Sequence, residues 1–137
     1  MTRRGFSGAL AAAVVFPAFE SRDLSRVVTL EAIAGVRLPE TLAIATNSPE
    51  TLRRGVWELR TYRGVAPALA GDLAEVFSGA GIRPLLRENT GETLTYLIPF
   101  ESLTARDRAW TALNADPRWT SACTRFQSYH FGLYRSV

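Results

Sequence analysis

The chain has 137 residues, 47% of them apolar, and a mean hydropathy close to zero, which suits one packed domain with some further sequence and argues against general disorder. Its net charge is only +3, and all sixteen basic residues are arginines spread along the chain, with Arg3/Arg4 and Arg53/Arg54 the only adjacent pairs, so the clustered basic face of a nucleic-acid protein is missing. The absence of lysine excludes Schiff-base chemistry, and a single histidine (His130) with a single cysteine (Cys123) excludes both a nitrogen–sulfur zinc site built by one chain and an intrachain disulfide.

In chain order, residues 1–22 come first: Met1-Thr2-Arg3-Arg4-Gly5-Phe6-Ser7, then an apolar run over 8–19. A basic start followed by a short apolar stretch has the form of a secretory signal and is too short to span a bilayer. Thr2-Arg3-Arg4-Gly5-Phe6 resembles the twin-arginine export motif, which implies an exported, periplasmic protein. An unprocessed apolar helix, or a remnant of a preceding domain in a cytoplasmic protein, is the alternative, since no small-x-small cleavage site follows. Residues 23–54 hold two β-branched runs, 27–33 and 41–46, around a segment with Gly35 and Pro39, so a hairpin is expected. It is either an addition to the sheet edge or an incomplete copy of a preceding domain half. Asn47-Ser48-Pro49 punctuates, with a short helical turn expected after it.

Residues 55–137 carry the clearest pattern. Positions 56–63 alternate Trp57, Leu59 and Thr61 against Glu58, Arg60 and Tyr62, a strand with two distinct faces. Gly64 ends it. Pro67 suits the first turn of a helix that continues through Leu69, Leu73, Val76 and Phe77 and stops at Gly79 and Gly81. Strands over 83–88 and 94–100 flank Asn89-Thr90-Gly91-Glu92 and make a hairpin. The second helix opens at Ser102 or Thr104, with Thr104 and Asp107 spaced as a capping box. Leu103, Arg106, Ala109, Trp110 and Leu113 share one face of it; Asp116-Pro117 breaks it, Trp119 tucks onto the core, and 126–135 is the closing strand. The order β-α-β-β-α-β predicts an α+β, ferredoxin-like sandwich with two helices on one face of an antiparallel sheet.

Three separate segments, spread over about 80 residues, bear a family likeness. The strand Val56-Trp57-Glu58-Leu59-Arg60-Thr61-Tyr62-Arg63 resembles the opening strand of the NIPSNAP family. Tyr96-Leu97-Ile98-Pro99-Phe100-Glu101-Ser102-Leu103, followed by Arg106-Asp107, Trp110 and Asp116-Pro117-Arg118-Trp119, resembles its second half in order and spacing. The resemblance implies half of a dimeric α+β barrel, two sheets facing each other in a homodimer. Relatives in that broader group include cofactor-free monooxygenases, isomerases and haem-handling enzymes, while the NIPSNAP family itself implies no particular reaction.

Strand alternation selects the candidate site. With Trp57, Leu59 and Thr61 under the helices, and Tyr129, Phe131 and Leu133 beside them, the opposite face would collect Glu58, Arg60, Tyr62, His130 and Tyr134. Such a polar and aromatic lining suits a dimer interface or a pocket for a small organic ligand, and Tyr62 and Tyr134 would be exposed without a partner. Read structurally, Glu58 and Arg60 pair across the dimer and His130 forms a hydrogen bond there. Read functionally, His130 is the acid/base and Arg60 holds an anionic group. Neither GxxxxGK[ST] nor GxGxxG occurs, and no G-x-S-x-G accompanies His130, so no cofactor or metal is expected. Trp110, Trp119 and Phe77 read as core fillers and Cys123 as a small buried thiol. The expected function is a homodimeric small-molecule-binding or interaction module. The alternative is a cofactor-independent monooxygenase- or isomerase-like enzyme using His130, with lone axial ligation of haem or a metal by His130 ranked last.

Overall fold

Residues 13–17, 26–35, 39–46, 52 and 55–137 are described by the computed structural model of this chain. Arg3 and Arg4, and with them the twin-arginine reading, lie outside the described residues. Seven strands build one curled sheet: β1 (Ala13–Pro17), β2 (Arg26–Gly35), β3 (Thr41–Thr46), β4 (Val56–Arg63), β5 (Leu86–Thr90), β6 (Thr93–Phe100) and β7 (Ser128–Ser136). Three helices join them: α1 (Leu69–Gly79), α2 (Leu103–Asn114) and α3 (Pro117–Ala122), the last continued by a 3-10 turn at Cys123–Arg125.

The strand order is β1-β3-β2-β7-β4-β6-β5. Its β7-β4-β6-β5 half is antiparallel throughout, and its chain order β4-α1-β5-β6-α2-α3-β7 is the expected β-α-β-β-α-β, with α3 as an extra short helix. The fold is therefore α+β and ferredoxin-like. The expected hairpin forms from β2 and β3 and is attached to the sheet edge, since β2 pairs antiparallel with β7. Outside it, Ala13–Pro17 pairs parallel with β3, so this part of the apolar run is a strand.

Local chemistry explains the element ends. α1 stops in a Schellman turn: the Ile82 amide donates to the Phe77 carbonyl (2.8 Å) and the Gly81 amide to the Ser78 carbonyl (3.1 Å), with Gly81 at φ +76°. α2 is capped by Ser102, whose Oγ accepts from the Ala105 amide at 3.0 Å. Thr104 lies inside the helix, so the expected Thr104–Asp107 capping box does not form. Asp116 caps α3 in the same way at Arg118, with Pro117 at the first helical position, where its missing N–H costs nothing. Pro67 sits in the turn before α1, and β5 starts after Pro84 at Leu86, later than the sequence pattern suggests. Cys123 is exposed, where a buried thiol was expected. Its partial desolvation still pushes the thiol pKa up, away from the reactive thiolate.

Each face of the sheet carries its own apolar core. Under the helices lie Tyr62, Leu73, Val76, Phe77, Tyr96, Ile98, Leu113 and Trp119. The other face holds Val28, Leu30, Leu42, Ile44, Leu52, Trp57, Leu59, Leu97 and Tyr134. Each Leu, Ile or Phe buried this way contributes roughly 1.5–3 kcal/mol. The two units meet where β2 crosses β7. A bulge at Ile33 shifts the register, and Gly35 pairs with Gly132 at φ +138°, a conformation that L side chains rarely adopt. A Cβ on Gly35 would lie 2.6 Å from the Gly132 Cα. Gly35→Ala is therefore expected to destabilise the protein by about 1–3 kcal/mol. Thermal unfolding beside wild type checks this; an unchanged melt would mean that the β2–β7 junction relaxes freely.

Candidate functional site

The sheet divides the five residues singled out from the sequence. Register pairs Glu58 with Leu133, Arg60 with Phe131 and Tyr62 with Tyr129, whereas Trp57 pairs with Tyr134 and Thr61 with His130. Cross-strand partners share a face. Glu58, Arg60 and Tyr62 thus lie under the helices, and His130 and Tyr134 lie on the opposite face. The reading of β7 holds, but that of β4 is inverted. The physical reason is that β4 is central and buried on both sides from Trp57 to Tyr62, so its alternation distinguishes two faces without telling which one is dry. The charged pair is accepted under the helices because α2 brings partners for it.

Those partners form a closed network. Glu58 is 0% exposed. Its Oε1 accepts from Arg106 Nε at 2.6 Å and from Trp110 Nε1 at 2.8 Å, and its Oε2 accepts from Arg60 Nη1 at 2.7 Å. Arg60 Nε donates to the Tyr62 hydroxyl at 2.9 Å. The Arg60 guanidinium also lies 4.2 Å from the Trp110 ring centre and 4.7 Å from that of Tyr129, with Phe131 at 5.6 Å. Arg106 approaches Phe131 at 5.1 Å. These aromatic faces replace part of the lost hydration of the cations. Burial pulls the Arg60 pKa down, but Tyr62 and Glu58 outweigh it and the net shift is upward, so Arg60 stays a cation. Two guanidiniums share the Glu58 carboxylate, and Arg106 also lies 3.7 Å from the exposed carboxylate of Asp107.

Arg106 and Trp110 are four residues apart on the face of α2 expected to meet the core. A charged residue within that apolar stripe was the available signal that a buried counter-charge awaited it; the sequence reading placed it on the face without assigning it a role. Tyr62 and Tyr134 were expected to be exposed, yet both are buried within the chain itself. The Tyr134 hydroxyl donates to the Pro39 carbonyl, tying β7 to the β2–β3 connection.

His130 borders an open hollow of about 520 Å³ with Ala34, Gly35, Tyr129 and Phe131, so residues from both faces of the sheet line it. Among the described residues, no acidic side chain pairs with it, and no group of three His, Cys, Asp or Glu side chains is placed to hold a metal. A second cleft, of about 540 Å³, opens between α1 and the β5–β6 hairpin. It is lined by Ala74, Phe77, Ser78, Ile82, Arg83, Pro84, Arg87 and Tyr96.

No family model matches this sequence, and no curated protein matches it either. Among solved structures it is similar to a NIPSNAP family protein with unknown function from Agrobacterium tumefaciens, 19% identical, over 62% of this chain and 89% of that one, at a TM-score of 0.44. It is also similar to an uncharacterized NIPSNAP-like domain protein from Burkholderia xenovorans, 19% identical, over 57% of this chain and 81% of that one, at a TM-score of 0.42.

The buried tyrosines give the domain an alkaline limit. Burial raises the Tyr62 phenol well above its ordinary value, against the opposing pull of Arg60, and raises Tyr96 and Tyr134 from 10.0 to about 12. A pKa raised by folding favours the neutral form, so this stability is complete below pH 10 and is lost as pH rises toward 12. Tyrosinate absorbance should show these three phenols ionising only as the fold is lost. Full ionisation near pH 10 with the circular dichroism unchanged would contradict their burial.

Proposed function

We propose that this chain is a non-catalytic, homodimeric module that binds a small organic molecule. One observation carries the reading. The sheet separates His130 from Glu58, Arg60 and Tyr62, and the last three are committed to one another and to α2. A general acid/base needs a reacting atom within hydrogen-bond reach and a partner that sets its proton. His130 has an open hollow beside it and no acidic partner among the described residues, while the groups that would have poised it lie beyond the sheet. What the molecule offers instead is hollows in the small-ligand size range on a rigid scaffold.

The homodimer rests on the surface around His130. Tyr129 (46% exposed) and Ile33 (43% exposed) are large apolar side chains left in water, Tyr129 in the wall of that hollow and Ile33 next to Ala34. A patch of this kind is a natural contact for a second copy related by two-fold symmetry. Export rests on the twin-arginine-like start alone.

Native mass spectrometry of protein purified from its own source tests both parts together. The expected species has twice the 15.1 kDa chain mass plus a retained organic ligand. A bare dimer would overturn retention of a ligand through purification, and a ligand-bearing monomer would overturn the dimer.

A further inference from the structure

Two buried polar side-chain atoms have no hydrogen-bond partner among the described residues: Trp57 Nε1 and the Tyr96 hydroxyl. An unmet buried donor costs about 1–3 kcal/mol and calls for an explanation. Trp57 lies inside the apolar core of the opposite face. Tyr96 differs: only 2% exposed, it forms part of the wall of the cleft between α1 and the β5–β6 hairpin.

The neighbours of Tyr96 give that cleft a chemistry. Register places Tyr96 between Arg60 on β4 and Arg87 on β5, in one row across the helix-covered face. Arg60 is already engaged with Glu58 and Tyr62. Arg87 is not: it lines the cleft with Arg83, both are exposed, and neither has an acidic partner among the described residues. Opposite the two guanidiniums stand Phe77 and Ile82, both core residues, with Pro84 beside them. The wall is rigid because the Schellman turn at Gly81 swings the chain from α1 back onto the core and sets Ile82, Arg83 and Pro84 in place. A cleft of about 540 Å³ with an apolar floor and two free guanidiniums at its edge has the composition of a site for an amphipathic anion.

Resting on the reading of the chain as a small-molecule-binding module, we propose that this cleft is its ligand site, and that it takes a small carboxylic acid whose apolar body packs on Ala74 and Pro84, above the buried Phe77 and Ile82, while its carboxylate bridges Arg83 and Arg87. The Tyr96 hydroxyl, in the same row as Arg87, supplies a further donor to that carboxylate. Burial supports that role by raising the phenol pKa to about 12, which keeps its proton in place, although Arg87 pulls the other way.

Octanoate and octan-1-ol serve as probes, titrated calorimetrically into the purified full chain after removal of any retained ligand. Octanoate should bind and octan-1-ol should bind more weakly. Arg87→Ala and Arg83→Ala should each weaken octanoate by about tenfold or more, the scale of one lost charge-assisted hydrogen bond, and leave octan-1-ol unchanged. Tyr96→Phe keeps the ring and its packing and should weaken octanoate several-fold. Equal octanoate affinity in wild type and Arg87→Ala overturns the site. Should Tyr96→Phe fail to fold, the surface arginine variants still decide. If protein from its own source keeps a bound molecule that the Arg83→Ala/Arg87→Ala variant keeps equally well, the cleft is wrong and the module stands. If the source protein carries nothing, yet octanoate binding depends on Arg87, the cleft stands and what fails is retention of a ligand through purification.

Discussion

A carboxylate sealed from water must find all of its hydrogen-bond donors inside the protein, and the arrangement around Glu58 follows from that requirement. Desolvating an ion costs several kcal/mol, so a fully buried carboxylate persists only where donors converge on both oxygens. Here they come from a neighbour on the same strand, Arg60, and from two residues one turn apart on α2, Arg106 and Trp110. The network therefore does more than satisfy a charge. It fixes the rotation and height of α2 over β4, and it seats the Arg60 guanidinium among Trp110, Tyr129 and Phe131. Helix, central strand and closing strand are thus tied at one point by directional bonds, where apolar packing alone would leave them free to slide.

The same tie accounts for how the chemistry is distributed. Once Glu58 and Arg60 are drawn under the helices, the opposite face of β4 is left to Trp57 and Leu59, which join Leu97, Tyr134 and the inward side chains of β2 and β3 in a second apolar core. His130 remains on that side, at the rim, with no charged companion among the described residues. Among the described residues, the Tyr96 hydroxyl without a hydrogen-bond partner and the exposed Arg83 and Arg87 lie instead at the far edge of the helix-covered face, where β5 and the turn after α1 meet. The proposed ligand chemistry thereby moves from the first and last strands of the domain to its β5–β6 hairpin.

Much of the fold was legible in the sequence. Period two over 56–63, helical spacing from Leu69 to Phe77, the turn cluster before Thr93 and the Asp116-Pro117 stop located every major element of the domain, because each depends on local backbone chemistry. The β2–β3 hairpin was legible for the same reason, from its β-branched runs. Which face of β4 meets the helices was not legible. That choice depends on Arg106 and Trp110, some fifty residues away along the chain, and a strand buried on both sides carries no surface signal to betray it. The cap at Ser102 rather than Thr104 was a choice between two adequate side chains that the start of the helix alone settles. The cleft at Tyr96 was beyond reach from spacing, since it arises only when the Schellman turn brings Arg83 against the hairpin that carries Arg87.

The central claim is that Glu58 couples α2 to the sheet, and a double-mutant cycle tests it most directly. Glu58→Gln keeps the shape and removes the charge, and Arg106→Met keeps the aliphatic stem and removes the guanidinium. Urea unfolding of wild type, both single variants and the double variant yields the coupling free energy. Side chains in one buried hydrogen-bonded network couple by about 0.5–3 kcal/mol, and a value above about 1 kcal/mol is expected here. Losses that add to within about 0.5 kcal/mol would mean that Glu58 and Arg106 act independently and that apolar packing alone holds the helix in place.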